Sequence, residues 1–151
     1  MQDISGFGTT ILLRASVTYP VGLPHAITEF PDDTDPFDLP ELEIAQAEMG
    51  LNGDMIVWAK AAPIIITLNL IPGSVSDLAL MVLAEQNRIG RGKQSVGDRI
   101  TLTRIWPNNI RAPLVLAEGR LTNAPAGTGV ASSGRMKTNA YTFKFERKSG
   151  F

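Results

Sequence analysis

The chain has 151 residues, 44% of them apolar, which is enough for one hydrophobic core and too little for two comfortable ones, so it is expected to form a single domain over 1–151. Lys and Arg number 14 against 15 Asp and Glu, a net charge of -1 that offers neither a basic footprint for duplex nucleic acid nor an acidic trap for cationic substrates. The absence of cysteine excludes a disulfide framework, a thiolate metal site and a cysteine nucleophile.

The opening Met1-Gln2-Asp3-Ile4-Ser5-Gly6 carries no basic flank leading into an apolar run, so no secretory signal is expected. The apolar stretches Ala61 to Ile66 and Leu78 to Ala84 are far short of a bilayer span, and no membrane insertion is expected. Ile11 to Tyr19, between Gly8 and Pro20-Val21-Gly22, reads as a strand. From Phe30 to Pro40 three prolines and four aspartates prevent a regular ladder, giving a long loop. Phe30, Phe37 and Leu39 offer it apolar anchors.

Leu42 to Met49 and Met55 to Lys60 flank Leu51-Asn52-Gly53-Asp54, whose Asn-Gly predicts a hairpin with a type I′ turn. The next strand runs from Ala61 to Ile71, with Ile64, Ile66, Leu68 and Leu70 on one face and Ile65, Thr67, Asn69 and Ile71 on the other. After Pro72-Gly73 the period changes. Val75, Leu78, Ala79, Val82, Leu83 and Ile89 recur near helical spacing, Ser74 is the natural N-cap, Asp77 suits the first turn, and Gly90 stands where a helix would end. The one substantial helix is therefore placed at Ser74 to Ile89.

Asp98 to Trp106 predicts a strand with Thr101, Thr103 and Ile105 opposite Ile100, Leu102 and Trp106. Ala112 to Thr122 is a further strand, broken or edged by Pro113. Ala124 to Gly134, almost wholly Ala, Gly, Ser, Pro and Thr, is a low-complexity connection. In the last strand Tyr141, Phe143 and Phe145 alternate with Thr142, Lys144 and Glu146, an aromatic inner face against a polar outer one. About seven strands and one helix indicate a mainly β fold, a sandwich or barrel with the helix laid against it.

Chemistry-bearing patterns are few. His25 is the one histidine, set between Pro24 and Ala26 with no nucleophile motif elsewhere, and reads as a surface or loop residue. Asp32, Asp33, Asp35 and Asp38 lack the glycine and closing glutamate of a calcium loop and read as a solvated acidic loop. Gly90-Arg91-Gly92-Lys93 follows a helix instead of preceding one, which suits a basic linker and not a phosphate cradle. Trp58 and Trp106 fall in predicted strands and read as core or interface packing. No enzyme class, cofactor or metal is indicated.

Several stretches, taken in order, resemble the tail-tube proteins of contractile-tailed bacteriophages. They are Ile44 to Asp54 (I-A-Q-A-E-M-G-L-N-G-D), Ile66 to Asp77 (I-T-L-N-L-I-P-G-S-V-S-D), Asn87-Arg88, Gly119 to Pro125 (G-R-L-T-N-A-P), Gly134 to Thr138 and Tyr141 to Phe145. They fill a minority of the positions from 44 to 145, and none is a catalytic signature. The resemblance implies subunits that close into stacked hexameric rings, joined sheets around a lumen that conducts DNA without gripping it, and sheath, baseplate and tail-terminator proteins as partners. It places the chain in the virion tail after synthesis in the host cytoplasm. Thr67, Asn69, Thr101 and Thr103 become candidates for the lumen, expected to be near-neutral or acidic. Phe30, Asp32, Asp33, Asp35, Phe37, Asp38 and Leu39 become candidates for subunit contact, with Arg91, Lys93 and Arg135 as basic counterparts. The competing expectations are a secretion-system or bacteriocin tube subunit, and a monomeric β-barrel binding module with its ligand under the Gly-rich loop.

Overall fold

The computed structural model of the chain describes residues 9–14, 25–32, 34–89 and 97–151. Seven strands form one antiparallel sheet: β1 (Thr10–Arg14), β2 (His25–Ile27), β3 (Phe37–Asp38), β6 (Ile64–Leu70), β7 (Asp98–Trp106), β8 (Ile110–Asn123) and β9 (Asn139–Gly150), in the spatial order β2-β1-β7-β8-β9-β6-β3. A separate two-stranded ladder joins β4 (Ala45–Met49) to β5 (Met55–Ala59), and one helix, α1, spans Val75–Ile89. The expected mainly β fold with a single flanking helix is thus the observed one among the described residues. The first predicted strand is seen from Thr10 to Arg14, and its continuation to Tyr19 lies outside them.

Alternation decides which side of the sheet is dry. Ile11 and Leu13 of β1, Ile66, Leu68 and Leu70 of β6, Ile100 and Leu102 of β7, and Tyr141, Phe143 and Phe145 of β9 are all buried. The rings of Phe143 and Phe145 stack with centroids 6.0 Å apart. Leu80 and Leu83 of α1 close this core from above. Strand β8 is not broken at Pro113 but runs for 14 residues, paired with β7 on one side and β9 on the other. Its irregularity lies further on, where the pairing with β7 shifts register and Glu118 takes a φ of 56°. This bulge lets the sheet curl into a half-barrel. Gly119 is required beside it, because a Cβ there would collide with the ring of Phe145 and stand 2.6 Å from the Lys144 carbonyl oxygen.

The helix begins as the sequence predicts and faces another way. Asp77 donates its backbone N–H to Ser74 Oγ at 3.2 Å, so Ser74 is the N-cap. Yet the side turned inward carries Ser76, Asp77, Ala79, Leu80 and Leu83, while Val75, Leu78 and Val82 are exposed. The physical reason is polar. Tyr141 Oη donates to Asp77 Oδ1 at 2.7 Å, Asn139 Nδ2 donates to the same oxygen at 2.9 Å, and the Gly73 N–H donates to Asp77 Oδ2 at 3.0 Å. Ser76 Oγ accepts from the Thr28 N–H at 3.0 Å, tying the first turn beside β2. Burial and the neighbouring Asp77 push the Tyr141 phenol upward, away from ionisation. A helix held at residues 76 and 77 cannot also turn 75, 78 and 82 inward.

Candidate assembly surface

The β4–β5 hairpin closes as expected at Leu51-Asn52-Gly53, but by a different turn. Gly53 donates its N–H to the Gly50 carbonyl at 3.0 Å and takes a φ of 83°, whereas Asn52 keeps a negative φ. This is a three-residue loop with the left-handed glycine at its end, not a type I′ turn. The register pairs Ala45 with Ala59, Ala47 with Val57 and Met49 with Met55, so these six side chains share one face. Not one of them is polar. Met49, Met55 and Val57 are exposed to 68%, 64% and 53%, and the three alanines are exposed too.

The opposite face pairs Gln46 with Trp58 and Glu48 with Ile56. Its charged end is neutralised by Lys60 Nζ against Glu43 Oε2 at 3.0 Å, which holds the Glu43 carboxyl below its usual range. Among the described residues neither β4 nor β5 packs to any extent on another element. A bare two-stranded hairpin is marginal in water, and an apolar face without a cover gives up the burial that would hold it.

A second uncovered apolar stripe lies on α1 and the turn before it: Ile71, Val75, Leu78 and Val82, exposed to 42%, 64%, 55% and 41%. At the other end of the helix a cleft of about 550 Å³ runs between Ala84, Asn87, Arg88 and the strand residues Arg120 to Asn123. Both of its guanidinium groups are committed: Arg120 Nη2 donates to the Asn87 carbonyl at 3.0 Å and so closes the helix end, and Arg88 pairs with Glu85 at 2.8 Å.

The residues singled out from sequence fall in two groups. Thr67, Asn69, Thr101 and Thr103 do lie on the sheet face away from the core, where Thr101 pairs with Leu12 and Val115, and Thr67 with Thr142 and Asp38. Phe30, Phe37 and Leu39, expected as anchors for a neighbouring subunit, instead pack against the chain's own core. They fasten the acidic loop internally, helped by Asn69 Nδ2, which donates to the Asp35 carbonyl at 2.8 Å. Asp38 belongs to β3 and its backbone pairs with Thr67. The Asp32–Arg135 pair, expected between copies, forms within the chain at 2.7 Å and holds the exposed Asp32 carboxyl below its usual range. Asp33, Arg91 and Lys93 lie outside the described residues. Trp58 and Trp106 are each 42% exposed, which excludes the core and leaves the surface; the Arg104 guanidinium lies 5.9 Å from the Trp106 ring centroid. His25 opens β2, half-buried and paired with Leu13.

What the sequence reading missed is the hairpin's uniform face. The signal was present as A-x-A-x-M before the turn and M-x-V-x-A after it, split so that neither strand alone looks like a docking surface.

A family model described as Tail fiber protein gp32 matches residues 2–149. The chain belongs to this family. Membership in a tail fiber family corrects the expectation of a contractile tail-tube protein: hexameric rings, a DNA-conducting lumen and the lumen assignment of Thr67, Asn69, Thr101 and Thr103 fall with it, and the secretion-tube alternative with them. The tail fiber family places the chain in the virion tail. No match is found among the curated proteins. Among the described residues no helix is long and apolar enough to cross a membrane.

Proposed function

We propose that the chain is a non-catalytic structural component of a phage tail, made in the host cytoplasm and built into the tail by protein–protein contact through the β4–β5 hairpin. The observation that carries this is the hairpin face of Ala45, Ala47, Met49, Met55, Val57 and Ala59, apolar throughout and uncovered. Tail fiber family membership supports a structural role, and exposed contiguous apolar surface of this kind marks association sites. The partners are copies of the chain and other tail proteins.

Sedimentation velocity over a concentration series tests the reading. The natural chain should form species larger than a monomer as concentration rises. Val57→Asp, which places a charge at the centre of the face without touching the core, should stay monomeric with an unchanged circular dichroism spectrum, whereas Ser132→Asp on an exposed loop should behave as the natural chain does. Equal sedimentation of Val57→Asp and the natural chain at every concentration would overturn the proposal.

A further inference from the structure

We infer that the Glu48-bearing face of the hairpin docks on the Arg104 end of the sheet in a second copy of the chain. This goes beyond the assembly role proposed above, because it uses the hairpin face opposite Val57. Charge points to it first. Between residues 15 and 59 stand nine carboxylates, from Glu29 to Asp54, and no Lys or Arg, whereas from 99 to 151 stand nine Lys and Arg and two carboxylates, Glu118 and Glu146. The near-neutral chain is thus -9 in one stretch and +7 in the other, and each stretch supplies what the other lacks.

Two surfaces concentrate this difference and match in residue type. On the hairpin, Glu48 pairs with Ile56 and shares its face with Trp58, while Asp54 adds a second carboxylate at the turn end. All four are exposed, and neither carboxylate has an ion partner among the described residues. On the sheet, β7 and β8 run past the core, and their dry side continues as Arg104 beside Ala112 and Trp106 beside Ile110. Trp106 and Ile110 are 42% and 56% exposed. The guanidinium of Arg104 is the deciding group. Its Nε and Nη2 are shut off from water and meet no acceptor among the described residues, and it lies 5.9 Å from the Trp106 ring centroid. A charged donor buried without an acceptor is costly, and a carboxylate arriving from outside removes that cost.

The other uncovered surfaces lack this match. The outer stripe of α1 is flanked by Glu85 and Arg88, which already hold each other at 2.8 Å, and the Val57 face carries no charge. Two Glu48 faces would set carboxylate against carboxylate, and two sheet ends would set Arg104 against Arg104. Like-charge repulsion therefore disfavours both symmetric pairings and leaves the contact between unlike surfaces, one from each copy. Within one chain the hairpin does not pack on β7 or β8 to any extent, so the pairing falls to a neighbour. Trp58 and Ile56 then cover Trp106 and Ile110, and arginine and tryptophan are the anchors in which binding energy concentrates. A contact selected by charge should also weaken as salt rises.

The cysteine-free chain makes the test clean. Ile56→Cys and Ile110→Cys chains, mixed at equal concentration in about 50 mM salt and oxidised, should give a mixed covalent dimer on a non-reducing gel, roughly tenfold above Ile56→Cys mixed with Ser132→Cys; in about 500 mM salt the yield should fall roughly threefold. Glu48→Arg on the first chain should lower the yield roughly fivefold, and Arg104→Glu on the second should restore it. Arg104→Gln on the second chain, with an unchanged circular dichroism spectrum, should lower it against the unaltered Glu48. Yields equal to the Ser132→Cys control, or yields indifferent to salt and to Glu48→Arg, would overturn the inference. Ile56→Cys linking to itself in excess of the mixed dimer would give the face to a second hairpin and overturn it as well. If no mixed dimer forms while Val57→Asp still disperses the assembly, this contact is lost and the apolar-face reading stands. If the mixed dimer forms while Val57→Asp changes nothing, the reverse holds.

Discussion

Replacing Asp77 by alanine should remove a large polar contribution to this fold. The side chain is 1% exposed and accepts hydrogen bonds from Tyr141 Oη, Asn139 Nδ2 and the Gly73 N–H. The substitution leaves three donors behind. Two belong to residues that are themselves buried, and each stranded donor costs about 1–3 kcal/mol, the Gly73 N–H least because it is partly exposed. Since the three share one carboxylate they do not add fully, and the expected loss is about 3–5 kcal/mol. Against a total stability of about 5–15 kcal/mol this is a large share. Urea denaturation followed by circular dichroism reads it directly, with Asp77→Asn as the partner experiment. The amide keeps one acceptor for Tyr141 but faces the Gly73 N–H with a second donor, so about 1–3 kcal/mol should go. A loss below about 1 kcal/mol for Asp77→Ala would refute the claim that this carboxylate sets the helix in place.

Gly119→Ala should destabilise by about 3 kcal/mol or more, because the added methyl meets the Phe145 ring and the Lys144 carbonyl, in a strand paired on both sides; thermal unfolding reads it. The phenol of Tyr141 is raised above its ordinary 10.0, so its stabilisation is complete below pH 10 and is lost as pH rises above that, when the unfolded chain ionises first. Urea midpoints from pH 8 to 11 should therefore fall at the alkaline end. The fall should shrink in Tyr141→Phe, and an identical fall in both would refute it.

Much of the architecture is readable from local pattern. The alternation of β6, β7 and β9 names most of the buried residues because a sheet with one dry face has period two; Trp106, placed with Ile100 and Leu102, is the exception, because β7 runs past the core at that end. The helix and its cap follow from Ser74 and the spacing after it. The facing of the helix does not, since both 75/78/82 and 79/80/83 are apolar and the choice between them is made by Tyr141 and Asn139, more than 60 residues away. Phe30, Phe37 and Leu39 are legible as anchors, but sequence cannot say what they grip. The tail resemblance was carried by the order of short stretches such as Ile66 to Asp77, and the structure shows several of these to be turn and core residues. Residues of that kind describe how a chain folds more than which part of a tail it builds.

The bulge in β8 has a bearing on which changes in length the chain can accept. Before it the buried positions are even-numbered, Ala112, Leu114 and Leu116; after it they are odd, Gly119 and Leu121. One residue, Glu118, shifts the reading frame of the strand. Deleting it would carry Arg120 and Thr122 toward the dry side and Leu121 into water, although the Glu118 side chain itself is exposed. At this position the fold counts residues more strictly than it reads them.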